Sequence, residues 1–183
     1  MKFYIVSFFT AALACTPVYL LLRRPWKRRE IREIFLFLYT VYCLALLWLV
    51  LRGSYASPAE MLRSAQSRVT ETHMNINLVP FKTMRLMLGT HMPDQICINI
   101  IANFVLFVPC SFGMLALWKR TRNVPCCLAV CLGVPLLIEF LQLFINRNTD
   151  IDDVILNFAG GLCGVILFII VHKVFPRIDD IAK

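Results

Sequence analysis

Long apolar runs separated by short polar or basic stretches set the pattern of this chain. Runs at 3–22, 34–51, 96–118, 124–145 and 154–175 each come close to the roughly 20 residues that carry an α-helix across a bilayer. Between 52 and 95 the pattern changes. Ser54, Ser57 and Pro58 precede a stretch with helical character over 59–69, and the chain then reads Asn75-Ile76-Asn77-Leu78-Val79-Pro80-Phe81. Pro80 disfavours helix at Val79, so an extended or re-entrant segment in the membrane interface is expected there. The predicted fold class is all-α: a polytopic transmembrane helix bundle of about five spans. Two N-terminal helices occupy 1–52, and one long non-cytoplasmic or re-entrant loop occupies 53–95.

Composition agrees with a membrane domain. Of 183 residues 59% are hydrophobic and only 16% are charged, more apolar surface than a soluble domain of this size hides. The net charge of +8 does not indicate nucleic acid, because the basic residues cluster between the apolar runs, where such residues orient membrane proteins. Arg23 to Arg32 is intensely basic, Lys119, Arg120 and Arg122 follow two spans later, and His172, Lys173 and Arg177 flank the last run. All three groups agree with a multi-pass topology in which the N-terminus is outside and the C-terminus is cytoplasmic. The first run is read as a retained helix, since it is long for a signal peptide and a basic cluster follows it. Seven of the eight cysteines lie in apolar stretches, where cysteine packs as a small hydrophobe; neither a metal site nor a disulfide is expected from them.

Polar residues inside spans are costly and are functional candidates. Gln95, Asn99 and Asn103 recur every four residues, on one helical face. Glu139 and Gln142 share a face of the next run, and Pro135 tends to kink the helix before them. The turn Asn146–Asp153 carries Arg147, Asp150, Asp152 and Asp153. Thr149 or Asp150 suits a helix cap, and acidic residues suit the positive end of the helix dipole. Asp153 and Asn157 lie four apart on one face. Gly160 and Gly164 continue it as a GxxxG pattern that lets another helix approach, so this face is expected to point into the protein. Glu139 has an ordinary reading as an ion-pair partner of Arg147 or Arg85, and a sharper one as an acid, base or ligand group.

The strings Asn77-Leu78-Val79-Pro80-Phe81, Asn99-Ile100-Ile101-Ala102-Asn103-Phe104-Val105-Leu106-Phe107-Val108-Pro109, Glu139-Phe140-Leu141-Gln142 and Arg147-Asn148-Thr149-Asp150-Ile151-Asp152-Asp153-Val154-Ile155-Leu156-Asn157 follow in order, trailed by Gly160-Gly161. This closely resembles the VanZ-like family, named for a protein associated with teicoplanin resistance. The resemblance covers roughly 75–170 and places a VanZ-like domain with three transmembrane helices over 75–175. Ala102, Ser111 and Phe158 depart from residues common in the family, and these are changes on the scale of packing. The resemblance implies a bacterial cell-membrane protein, in some members linked to glycopeptide or lipoglycopeptide resistance.

The resulting expectation is an envelope protein that engages an amphiphile, either a lipid-linked wall precursor or a lipoglycopeptide, through an outer-leaflet polar pocket, with membrane lipid around it. Asn77, Pro80, Phe81, Asn99, Asn103, Gln142, Arg147, Asp150, Asp152 and Asn157 are the candidate ligand-binding residues, with Arg147 suited to an anionic group. The alternative is an enzyme acting on a lipid-linked substrate, with Glu139 as general acid or base and Asp153 beside it. In that case Asp152 and Asp153 offer oxygen ligands to a hard divalent cation. No metal-ligand spacing is present, His73 and His91 read as loop residues, and the sequence specifies no cofactor. A transporter with Glu139 as proton carrier is disfavoured by the lack of an internal repeat.

Overall fold

A computed structural model describes residues 13, 16–18, 20–21, 31–52, 58–68, 76–89, 93–145 and 148–182, with the backbone alone at 52, 58, 68, 87–88 and 93–99. The expected first span at 3–22 and the basic residues at 23–30 lie almost wholly outside the described residues. From residue 31 onward the described helices are α1 (Ile31–Arg52), α2 (Pro58–Arg68), α3 (Lys82–Leu88), α4 (Pro93–Leu117), α5 (Val124–Phe144) and α6 (Ile151–Val174). Two short strands, β1 (Ile76–Asn77) and β2 (Thr149–Asp150), pair in parallel, with Ile76 opposite Thr149 and Asn77 opposite Asp150. Among the described residues four helices, α1, α4, α5 and α6, are long and apolar enough to cross a membrane. The protein is therefore an all-α membrane bundle. The helix expected near 59–69 is α2, and α4 and α6 each begin three residues earlier than the apolar pattern alone marks them.

Local chemistry sets the helix starts. Asn123 caps α5 by accepting from the Cys126 N–H at 2.9 Å, and Pro125 sits in the first turn. There its missing N–H leaves no helical bond unmade. Asp150 caps α6 by accepting from the Asp152 N–H at 3.0 Å.

Helices α4 and α6 form the tightest pair in the bundle. They run parallel, as successive contacts show: Gly160 meets Phe104, Gly164 meets Val108, and the Phe168 ring meets Phe112 edge-on at 6.0 Å. A Cβ on Gly160 would stand 2.0 Å from the Phe104 carbonyl oxygen, and one on Gly164 would stand 2.2 Å from that of Val108. The absent side chains are what let the two backbones touch. Helix α5 closes over this pair. Its Cys131 Sγ lies 3.5 Å from Ser111 Oγ on α4, with Gly161 of α6 facing both. Helix α1 runs antiparallel to α4. Tyr39 and Tyr42 donate their hydroxyls to the Cys110 and Leu106 carbonyls, and Gly113 leaves room for the Tyr39 ring. These bonds bracket Pro109, whose ring and missing N–H interrupt the α4 ladder.

Charged side chains collect at both ends of the bundle. At one end the turn after α4 meets the segment after α6. Arg122 donates to Asp179 at 2.6 Å and to the Leu115 carbonyl at 2.9 Å, and its guanidinium lies 4.8 Å over the Phe168 ring. His172 sits 3.1 Å from the same carboxylate. The hydrogen bond from Arg122, and after it that from His172, holds the Asp179 carboxyl below the usual carboxylate range. Lys119, Arg120, Lys173 and Arg177 surround this end. The opposite end holds the carboxylates Glu139, Asp150, Asp152 and Asp153, with Lys82 and Arg85 on the neighbouring α3.

Gly160→Ala is expected to lower stability by about 1–3 kcal/mol through overpacking. Gly133, on a face where an added Cβ meets nothing, should tolerate alanine or gain up to about 1 kcal/mol from helix propensity. Thermal unfolding in detergent micelles reads both, and equal effects at the two sites would refute the close-approach account.

Candidate functional site

The acidic end is organised by the first turn of α6. Asp152 is 2% exposed, and its carboxylate reaches across to the segment before α3. One oxygen accepts from the Phe81 N–H, and the other accepts from the Met84 N–H at 3.1 Å. Phe81 has φ +62°, a left-handed conformation that a side chain larger than glycine adopts at a cost. The bond to Asp152 holds it there. A carboxylate on α6 thus caps a helix 71 residues upstream in the chain.

Asp150 fastens the same segment from a second side. Asn77 donates to its Oδ1 at 3.0 Å and Thr83 donates to its Oδ2. Asn77 also accepts from the Val79 N–H at 3.3 Å, closing a turn ahead of Pro80. Together with the β1–β2 pairing, these bonds strap residues 76–84 over the start of α6. The strap's outer face is apolar and exposed at Leu78, Val79 and Phe81.

Glu139 lies five residues inside the end of α5, about 7–8 Å deep at the helical rise. It is buried and accepts from the Asp150 N–H at 3.0 Å, and the Thr149 hydroxyl reaches its backbone carbonyl at 3.4 Å. Its carboxylate therefore orders the turn that presents Asp150 and Asp152. Gln142, one turn further along α5, donates to the Val50 carbonyl at 3.1 Å and ties α1 to this end.

Below the strap, Asn103 of α4 donates to Asp153 of α6 at 2.6 Å. One turn deeper on the same face of α6 lies Asn157, 3% exposed. The Asn157 Oδ1 and the Gln142 Oε1 are buried without a hydrogen-bond partner among the described residues. A buried unpaired amide oxygen costs about 1–3 kcal/mol, and in lipid there is no bulk water to relieve it. Both unpaired groups are acceptors, so what completes them must be a donor: a hydroxyl, an amide N–H or an ammonium.

The structure thus brings Asn77, Phe81, Asp150, Asp152 and Glu139 together as one fastening network, with Pro80 on the strap's exposed surface. It sets Asn103, Asp153, Asn157 and Gln142 around the polar end of the bundle. Arg147 and the side chain of Asn99 lie outside the described residues. Thr83 and the backbone amides of Phe81 and Met84 were missed by the sequence reading. A hydroxyl six residues after Asn77 is a weak signal, and a left-handed phenylalanine leaves none. Among the described residues no group of three His, Cys, Asp or Glu side chains is arranged to hold a metal ion.

A family profile described as VanZ/LLP1 matches residues 37–172, from within α1 to the last turn of α6. No curated protein and no solved structure matches the chain.

Asp152→Ala leaves two amides of the strap without their acceptor. Hydrogen exchange of the Phe81 and Met84 amides should accelerate by about 5–150-fold, as a loss of roughly 1–3 kcal/mol of local protection implies. Unchanged exchange would remove Asp152 from its capping role.

Proposed function

The chain belongs to the VanZ-like family, and from that premise we propose that it is a cell-envelope membrane protein that engages an amphiphilic ligand through the polar pocket at the acidic end of its bundle. The basic end is assigned to the cytoplasm by the positive-inside rule. That assignment sets the strap and the polar end at the outer leaflet, with the C-terminus cytoplasmic and the N-terminus outside. The ligand class is a lipid-linked wall precursor or a lipoglycopeptide. Both pair a head rich in hydroxyl and amide donors with an apolar tail for the lipid-facing helices.

The observation that carries this reading is the buried Asn157 amide, whose oxygen lacks a donor one turn below the Asn103–Asp153 pair. Asn77, Asp150, Asp152 and Glu139 act as positioning residues that hold the strap over the pocket. Asn103, Asp153, Asn157 and Gln142 face the ligand, and Pro80 and Phe81 border its path. Arg147 is proposed to meet an anionic group on it. The Asp150 amide engages one oxygen of Glu139, which supports a positioning role for this carboxylate in the turn.

Expression in a susceptible Gram-positive host at matched membrane levels provides the test. The wild type should protect against teicoplanin more than against vancomycin, which lacks the lipid tail. Asn157→Leu should abolish that selectivity while the protein remains in the membrane. Glu139→Gln, which keeps an acceptor for the Asp150 amide, should retain it. Selectivity lost in Glu139→Gln with normal folding would point to proton chemistry at that carboxylate. Protection absent even in the wild type would sink the resistance role.

A further inference from the structure

A second candidate site lies at the opposite, basic end, where α1, α4 and the segment Pro176–Ile181 border an open groove of about 1000 Å³. That is at the upper end of the range for small-molecule sites. Phe35, Leu38, Tyr39, Phe112, Ala116 and Leu117 form apolar walls, while Arg32, Arg177 and Asp180 carry the charge in its lining. Arg32 is 8% exposed, and its Nε is buried without a hydrogen-bond partner. No ion pair within 4.0 Å joins it to Glu33, Asp180 or any other described carboxylate. A guanidinium cannot discharge itself by losing a proton, so a buried one needs an anion beside it.

We propose that this groove holds an anionic phospholipid, its chain between α1 and α4 and its phosphate against Arg32 and Arg177. Two guanidiniums outweigh the single carboxylate of Asp180, so the charge of the lining favours an anion. The walls belong to two membrane-crossing helices, and the charged residues lie at one end of them. That is the arrangement of an acyl chain in the hydrocarbon layer with a headgroup at its edge. The neighbouring Lys119, Arg120 and Lys173 place this end where anionic lipids concentrate when it faces the cytoplasmic leaflet. The site is distinct from the polar pocket, which uses none of these residues.

Native mass spectrometry of the purified full chain tests this, with phosphatidylglycerol and phosphatidylcholine of matched chains added in turn. The wild type should retain phosphatidylglycerol about thirtyfold better than phosphatidylcholine, the product of two arginine contacts at about fivefold each. Arg32→Gln should cut that margin to about fivefold, and Leu38→Trp should reduce retention of both lipids by filling the groove. Arg177→Gln, at an exposed position, should narrow the margin with an unchanged melting temperature, which keeps the test valid where Arg32→Gln folds poorly. Arg63→Gln, on α2 away from the groove, should behave as wild type. A wild type without lipid preference, or a wild-type margin retained in both Arg32→Gln and Arg177→Gln, overturns the proposal. So does displacement of the lipid by inorganic phosphate at the same headgroup concentration, which would make the groove an anion site without a chain.

Discussion

The direct contact of two helix backbones at Gly160 and Gly164 is the constraint on which the rest of the molecule depends. Lipid tails are as apolar as leucine, so hydrophobic burial does not draw membrane helices together, and close packing has to do so. The glycines bring α6 against the Phe104 and Val108 carbonyls of α4. That approach fixes the axial register of a parallel pair. Register in turn decides that Asn103 reaches Asp153 at the acidic end, and that Phe112 meets Phe168 toward the basic end. A shift of one turn would separate both pairs.

With α4 and α6 fixed, the first turn of α6 becomes a rigid platform for side chains acting at long range. Asp150 caps its own helix and also holds Asn77 and Thr83. Asp152 caps α3 from outside it. Glu139 takes the amide that this turn would otherwise leave buried and unpaired. The density of acid here follows from backbone need. The strap is irregular chain at the end of an apolar bundle, and irregular chain there persists only where its amides find partners.

The helices were legible because length and hydropathy decide them, and the glycine face was legible because GxxxG has one common use in a bilayer. Asp150 as a cap, and Asp153 with Asn157 on an inward face, followed from local spacing and agree with the structure. Asp152 was legible as a polar candidate but not as the cap of another helix, because that bond spans 71 residues and no local pattern encodes it. Glu139 read either as an ion-pair partner of Arg147 or Arg85 or as a site group, and the Asp150 amide that it accepts from is a backbone group, which sequence does not display. Arg32 was hidden for a different reason. Inside the basic run 23–32 it looks like one topogenic charge among several. Only its spacing with Phe35, Tyr39 and Tyr42, on one helical face, marks it as part of a groove.

Where polar groups are paired and where they are not follows depth in the bundle. In the middle, Tyr39, Tyr42, Thr40 and Ser111 all have partners on neighbouring backbone or side chains. That is what a medium without water demands. The unpaired buried side-chain atoms of Gln142, Asn157, Arg32 and Arg122 lie toward the two ends, where headgroups and polar solutes are within reach. The two ends lack opposite things. Near the strap the orphans are amide oxygens awaiting donors, and at the basic end they are guanidinium nitrogens awaiting an acceptor. One ligand chemistry would not complete both, and between the two ends the buried polar side chains named here are paired among the described residues.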